Sequence, residues 1–347
     1  MRILILIEDI TLGGGTERVA LTLATNLNAD GINCDIFSLS KSNTDTFYPS
    51  ENINICYAKS KVGVFAKIEA IKYANKNNMK LLVFSMGRLS VEIALLSRLF
   101  LFRHFGCYEH ISFSSFSGFI QKIKLFAYRL SHGVIFLTEH DRDIIRHKLS
   151  HVPVTSIENI SPFRAIKKSN VGARKNIVLA VGRLTNQKNF SRLINLWSMV
   201  NRPDWSLIIA GDGPDRDFLD KQINHLCLKN VEIVGAVKEI SNMYLASKIL
   251  VLTSRYEGFP MVMVEAQCFG LPAVSFDCKT GPSEIIINES TGYIIPYHDD
   301  SLFIEKLQRL IDHPKELETF SYNSIKNAQR FTYENTKYKW LEILEKI

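Results

Sequence analysis

The feature that most constrains this chain is its regular alternation of short apolar runs with longer amphipathic stretches. Met1-Arg-Ile-Leu-Ile-Leu-Ile7 opens it, and a glycine turn leads into Val19, Leu21, Leu23 and Leu27 at helical spacing. The same unit recurs to the end of the chain. Apolar strands joined by helical crossovers build parallel sheets, so the class is α/β. Strands are expected at 2–7, 33–38, 53–56, 81–84, 106–110, 133–137 and 153–157. Helices are expected near 15–29, 64–77, 89–103, 117–131 and 139–149. A second set of strands falls at 176–182, 206–211, 231–234, 248–253, 272–276 and 292–295. Its helices fall near 189–200, 214–227, 238–246, 260–269, 282–287, 299–312 and 315–328.

A chain of 347 residues exceeds what one core comfortably serves, so two domains are expected. Pro162 and the polar stretch 165–175 mark the seam. Residues 1–162 then form one doubly wound domain and 163–332 the other. Residues 333–347 carry Tyr338, Trp340, Leu341 and Leu344 at helical spacing and are expected to pack back on the first domain.

Six scattered cysteines form no C-x-x-C pair, which points to buried, reduced thiols rather than zinc or a disulfide framework. The N-terminal apolar run meets Glu8 and Asp9 too soon for a signal peptide. Arg88, Glu92 and Arg98 within 81–102 argue against a membrane span. A cytoplasmic location is expected. The net charge of +7 is carried mostly by residues 1–165, with 19 Lys+Arg against 14 Asp+Glu. That excess fits anionic substrates or acidic headgroups; no nucleic-acid module is visible.

Several turns at strand ends carry candidate chemistry. Glu257-Gly-Phe-Pro-Met-Val-Met-Val-Glu265 follows the run 249–253 and reads as a turn into a helix opening with Pro260. The first-turn amides of Met261 and Val262 offer an anion site, with Glu265 further in as an acceptor for a vicinal diol. Gly182-Arg183-Leu-Thr-Asn-Gln-Lys188 follows another strand. Two cations there suit a diphosphate or are simply solvated loop charges. Gly13-Gly14-Gly15-Thr16-Glu17-Arg18 is either a close-approach loop for phosphate or sugar, or a tight turn without a ligand. It lacks the G-x-G-x-x-G spacing. Glu109-His110 ends a strand and either meets a sugar or is structural; Glu139-His140-Asp141 reads as a helix start. Gly211-Asp-Gly-Pro214 reads as punctuation. Lys279-Thr-Gly-Pro-Ser-Glu284 is expected beside Glu257. No D-x-D pair is read on a loop directly after a strand, so no metal ligand is assigned.

In order, these pieces resemble the retaining glycosyltransferases of family 4, which have the GT-B fold: two Rossmann-like domains facing a central cleft. The residues that carry the resemblance are Thr253–Ala266 with Gly270-Leu-Pro272, Val181–Lys188 and the early Gly-Gly-Gly-Thr-Glu-Arg-Val run. Ser275–Glu284 is similar to the amylovoran-biosynthesis-like bacterial polysaccharide enzymes. The resemblance implies Arg183 and Lys188 on the donor diphosphate, Glu265 on the ribose and Glu257 near the hexose. Gly182, Phe259, Pro260, Met261 and Val262 would complete the phosphate cradle. Gly14 and Gly15 would line the cleft opposite, with Gly13, Thr16 and Glu109 on the acceptor side. His110 would contact the donor sugar.

It further implies a nucleotide sugar, UDP-linked by family habit, as donor, with no cofactor and no metal. The acceptor would be a saccharide, or a polyprenyl-diphosphate-linked sugar, in surface polysaccharide synthesis. Phe119–Leu130, with Lys122, Lys124 and Arg129, and Leu99–Phe105 read either as a peripheral membrane contact or as half-buried helix. A nicotinamide-dependent oxidoreductase shares the Rossmann-like pattern, but the missing fingerprint and the Arg183/Lys188 pair weigh against it. A non-catalytic GT-B-like binding protein is the other alternative.

Overall fold

The computed structural model describes residues 1–61, 63–102, 104–168, 170–278 and 281–347. The chain divides into two compact units, Met1–Pro162 with Phe331–Ile347, and Phe163–Arg330.

The first unit runs β1 (Arg2–Ile7), α1 (Gly15–Ala29), β2 (Asn33–Ser38), β3 (Ile55–Tyr57), α2 (Gly63–Lys76), β4 (Lys80–Ser85), α3 (Leu89–Leu99), β5 (Phe105–Glu109), α4 (Gly118–Arg129), β6 (Val134–Phe136), α5 (Glu139–Arg146) and β7 (Val154–Ser156). Among the described residues its strands make one sheet in the order β3-β2-β1-β4-β5-β6-β7, parallel throughout. Ile3 to Ile7 are buried to the last side chain. Such a strand needs helices on both faces, and the crossovers supply them.

The second unit runs β8 (Ile177–Val181), α6 (Phe190–Ser198), β9 (Ser206–Ala210), α7 (Arg216–His225), β10 (Val231–Gly235), α8 (Ile240–Ala246), β11 (Ile249–Leu252), α9 (Met261–Cys268), β12 (Ala273–Asp277), α10 (Pro282–Ile285), β13 (Gly292–Pro296), α11 (Asp300–Asp312) and α12 (Pro314–Ala328). Its parallel sheet has the order β10-β9-β8-β11-β12-β13. In each sheet the strand order reverses once, between β1 and β4 and between β8 and β11. A crevice opens at such a reversal because the loops leave in opposite directions, and ligands of open α/β sheets bind there.

A last helix, α13 (Tyr333–Lys346), belongs to the first unit. Trp340 is fully buried, edge-on to the Tyr108 ring at 5.1 Å. A methyl group on Gly106 would lie 2.2 Å from Ile347 Cδ1, so that strand must be bare where the tail crosses it. The boundary differs slightly from the expected 332. Phe331 is buried in the first unit and its carbonyl accepts the Ser161 N–H at 2.8 Å, so the second unit ends at Arg330.

Most elements fall within two residues of their expected bounds. Exceptions are α3, which stops at Leu99, and α5, which stops at Arg146. Pro260 also departs from expectation. It precedes α9 in an extended conformation (ψ 97°) and accepts the Met263 N–H at 2.9 Å, so the helix opens with Met261. None of the cysteines is bonded to another; Cys34, Cys107, Cys268 and Cys278 are buried, whereas Cys227 is exposed at a turn.

Candidate active site

In the second unit the loops after β8 and β11 leave adjacent strands at the reversal. They are braced to one another. The Arg255 N–H donates to the Gln187 carbonyl at 2.8 Å and Gln187 Nε2 donates to the Tyr256 carbonyl at 3.0 Å. The Thr253 hydroxyl reaches the Lys188 and Asn189 carbonyls, each at 3.2 Å. This lacing brings Lys188 Nζ to 2.6 Å from Glu257 Oε1, with both side chains largely buried. Arg183 lies exposed on the same loop. A cation and a carboxylate 69 positions apart thus share one spot.

Two glycines make the loop packing possible. A Cβ on Gly211 would fall 1.8 Å from the Gly182 carbonyl oxygen, against backbone that cannot yield. A Cβ on Gly182 would press on the Lys188 stem at 3.0 to 3.3 Å. Gly182 therefore gives Lys188 its path across the loop, and Gly211 is structural, as its turn position indicated. Gly281 has φ +105° and lies against Pro260 and Gly258, which brings the α10 turn beside the Glu257 loop. Lys279 and Thr280 lie outside the described residues.

Behind this loop, α9 presents the amides of Met261 and Val262, the two that precede the first bonded amide of the helix, Met263. Phe259 and Met261 are buried and Val262 half-buried. Glu265 is buried one turn in, where Tyr244 donates its hydroxyl to Oε2 at 2.8 Å. Tyr244 fixes the carboxylate's orientation, and no spacing rule in the sequence pointed to it.

The first unit has its own pocket at the β1/β4 reversal, a cavity of about 350 Å³ lined by Asp9, Thr16, Glu17, Ser40, Ser42 and Met86 among others. The glycine turn forms its rim. Tyr48 donates to the Gly13 carbonyl at 3.0 Å and Thr16 Oγ1 approaches Met86 Sδ at 3.2 Å. Gly15 begins α1 after Gly14. A Cβ on Gly14 would sit 2.4 Å from a Glu17 carboxylate oxygen. Glu17, the third helical residue, folds back over the cap as in a capping box. Burial pushes its carboxyl up to about 7, with Asp9 and Glu8 adding to the rise and the amides of Glu17 and Gly14 opposing it. Asp9 is held below the usual carboxylate range by hydrogen bonds from Ser42 and Thr11 that outweigh its burial. Sequence reading missed these acids as pocket residues, although the Gly14-x-x-Glu17 spacing was a capping signal.

Glu109 is corrected. Its side chain is fully buried in an ion pair with Lys124 at 2.9 Å, so it faces the interior under α4 and not an acceptor. Alternation along β5 sends the next residue to the other face. His110 lies buried against Phe84 and Tyr108, at ring distances of 4.9 and 4.4 Å. Its Nε2 has no hydrogen-bond partner among the described residues, and desolvation lowers its pKa to about 3, which keeps the ring neutral. The Glu139 group is a helix start: Thr138 caps α5 by accepting the Asp141 N–H. Among the described residues no group of three or more His, Cys, Asp or Glu is arranged to hold a metal ion.

Two Rossmann-like units, each with its loops gathered at the strand-order reversal, are the GT-B architecture. Anabaena HepE, solved in complex with UDP and glucose, superposes over 100% of both chains with a TM-score of 0.83 at 18% identity. The family pattern "Glycosyl transferases group 1" matches residues 163–327. The chain is also 39% identical to the amylovoran biosynthesis glycosyltransferase AmsD of Erwinia amylovora, over 99% of each sequence. This chain belongs to the group 1 glycosyltransferases. A Campylobacter jejuni α-1,4-N-acetyl-D-galactosaminyltransferase, named for a PP-undecaprenol-linked glycan, is 25% identical over 60% of this chain and 57% of its own length.

Proposed function

We propose that this glycosyltransferase moves a hexose or N-acetylhexosamine from a UDP-sugar to a polyprenyl-diphosphate-linked saccharide in bacterial surface polysaccharide synthesis, with retention of configuration. The observation that carries the reading is the laced pair of loops that presents Lys188 and Glu257 together in front of the α9 amides, with Arg183 on the same loop. The donor diphosphate is bound by Lys188, Arg183 and the leading amides of α9, those of Met261 and Val262. Charge grows on that diphosphate as the glycosidic bond breaks, and fixed positive groups aimed at it stabilise the transition state more than the ground state. These cations take the role a metal would otherwise have, so the reaction is metal-independent.

Glu265, oriented by Tyr244, accepts hydrogen bonds from the ribose diol. Glu257 accepts from the hexose once Lys188 turns to the phosphate. The acceptor hydroxyl attacks from the leaving-group face and passes its proton to the departing phosphate oxygen. The polysaccharide setting and the lipid-linked acceptor are supported by the names of the Erwinia and Campylobacter relatives, and UDP by the HepE complex. Such acceptors lie at the cytoplasmic face of the cell membrane, where this enzyme would work.

The test is nucleotide release from a panel of UDP- and GDP-sugars, with and without EDTA, and proton NMR of the product anomer. Release from UDP-sugars that EDTA leaves intact, with the donor's anomeric configuration kept, is expected. Release only with GDP-sugars, dependence on added metal, or an inverted product would each overturn the corresponding part.

A further inference from the structure

The outer face of α4 reverses the usual arrangement of an amphipathic helix. Its inward face carries Lys124, fully buried, whose Nζ donates to Glu109 Oε2 at 2.9 Å and to the Gly87 carbonyl at 2.8 Å. The Phe116 ring lies 4.8 Å from that ammonium. Its outward face carries Phe119, Ile123 and Phe126, with Phe119 74% exposed. A helix serving only its own domain places lysine out and phenylalanine in.

The neighbouring α3 continues the exposed apolar surface. α3 and α4 pack together, and each follows one of the parallel neighbours β4 and β5, so they run side by side. Leu95 and Leu99 point outward from α3, and Leu101 just beyond it is 79% exposed. Leu101 has φ +52°, a left-handed conformation that leucine rarely adopts.

Charge identifies the occupant. Across α3 and α4 there are two acidic neighbours, and both are paired: Glu92 on α3 with Arg88 and Lys67, and Glu109, buried against Lys124. The exposed charges on these helices are Arg98, Lys122 and Arg129. An apolar face whose acids are neutralised and whose unpaired fringe is cationic fits the headgroup and acyl boundary of an anionic bilayer. A second copy of the chain would set the same cations against each other. No helix among the described residues is long and apolar enough to cross a membrane, so the contact is one of lying on the surface.

We propose that the exposed faces of α3 and α4 dock this protein on anionic lipid. The inference deepens the lipid-linked-acceptor reading, and rests on it for its purpose. It also corrects the expected membrane face: Lys124 is an internal anchor of α4, not a lipid contact.

The test is sedimentation of the full chain with phosphatidylcholine vesicles, with and without phosphatidylglycerol. Three proteins are compared: wild type, Phe119→Ser/Phe126→Ser and Lys122→Glu/Arg129→Glu. Donor hydrolysis in solution and light scattering are measured alongside. Wild type is expected to sediment with the anionic vesicles. Reversing two cations is expected to weaken binding by about tenfold or more, and the Phe variant to lose it, both with unchanged donor hydrolysis. Absence of wild-type binding, variants that bind like wild type, or a wild-type dimer that the Phe variant dissociates would overturn the proposal. Vesicle binding by a wild type that fails to hydrolyse any donor would support docking and sink the enzymatic reading alone.

Discussion

Replacing Glu257 by glutamine should strengthen UDP binding while it weakens sugar transfer. Lys188 Nζ lies 2.6 Å from Glu257 Oε1 in a largely buried setting. At an effective dielectric near 20, charges that close attract by about 6 kcal/mol before desolvation is counted. Desolvation of both groups offsets most of this, leaving a net coupling of about 1–3 kcal/mol. A diphosphate that takes Lys188 must compete with that coupling. Glutamine keeps the shape and removes the competition, so the Kd for UDP should fall by about tenfold, equivalent to about 1.4 kcal/mol. Transfer should fall nonetheless, because a neutral amide is a weaker acceptor for the donor hexose. Titration calorimetry with UDP and nucleotide release from the UDP-sugar read the two effects separately. A folded Glu257→Gln protein that binds UDP no more tightly than wild type would refute the idea that Glu257 and the diphosphate share Lys188.

Other expectations follow from the same geometry. Lys188→Ala should lower turnover by about 10²–10³ while leaving the preference among donor sugars unchanged, since it acts on the leaving group; unaltered turnover in nucleotide release would remove that role. Gly182→Ala should cost clearly less thermal stability than Gly211→Ala: both positions have a φ that alanine rarely adopts, +159° and +153°, but the first added methyl meets the flexible Lys188 stem and the second meets backbone at 1.8 Å. Equal melting temperatures for the two variants would contradict that distinction. Glu17 ties stability to pH: its carboxyl is raised from 4.5 to about 7, so the folded state keeps a proton that the unfolded chain has already lost. Stability should therefore fall as pH rises across that window, by about 2 kcal/mol relative to Glu17→Gln, as measured by urea unfolding at pH 5 and pH 8. Parallel profiles for the two proteins would exclude a buried, proton-holding Glu17.

Period and turn chemistry made most of the elements legible before any coordinates. Continuous apolar runs such as Ile3–Ile7 fit only a strand covered on both faces, and Leu89–Leu99 shows apolar positions at helical spacing. Arg183, Lys188 and Glu257 were legible as candidates because they lie on loops at the carboxyl ends of apolar strands, where ligands of open α/β sheets bind, and Glu265 because it lies one turn into the helix that follows. Pro260 was misread by one position because proline tolerates both the cap and the first turn.

The sequence by itself determined which residues share a face of their own strand or helix, since that depends only on local periodicity. Tertiary structure alone decided which faces meet. It set both strand-order reversals, brought Lys188 to Glu257 through hydrogen bonds between two loops, and placed Tyr244 on Glu265. It also turned Glu109 inward to Lys124 while leaving the phenylalanines of α4 outside. The physical reason is that a charge is stabilised by whatever lies opposite it in space, and no local spacing records what that neighbour will be.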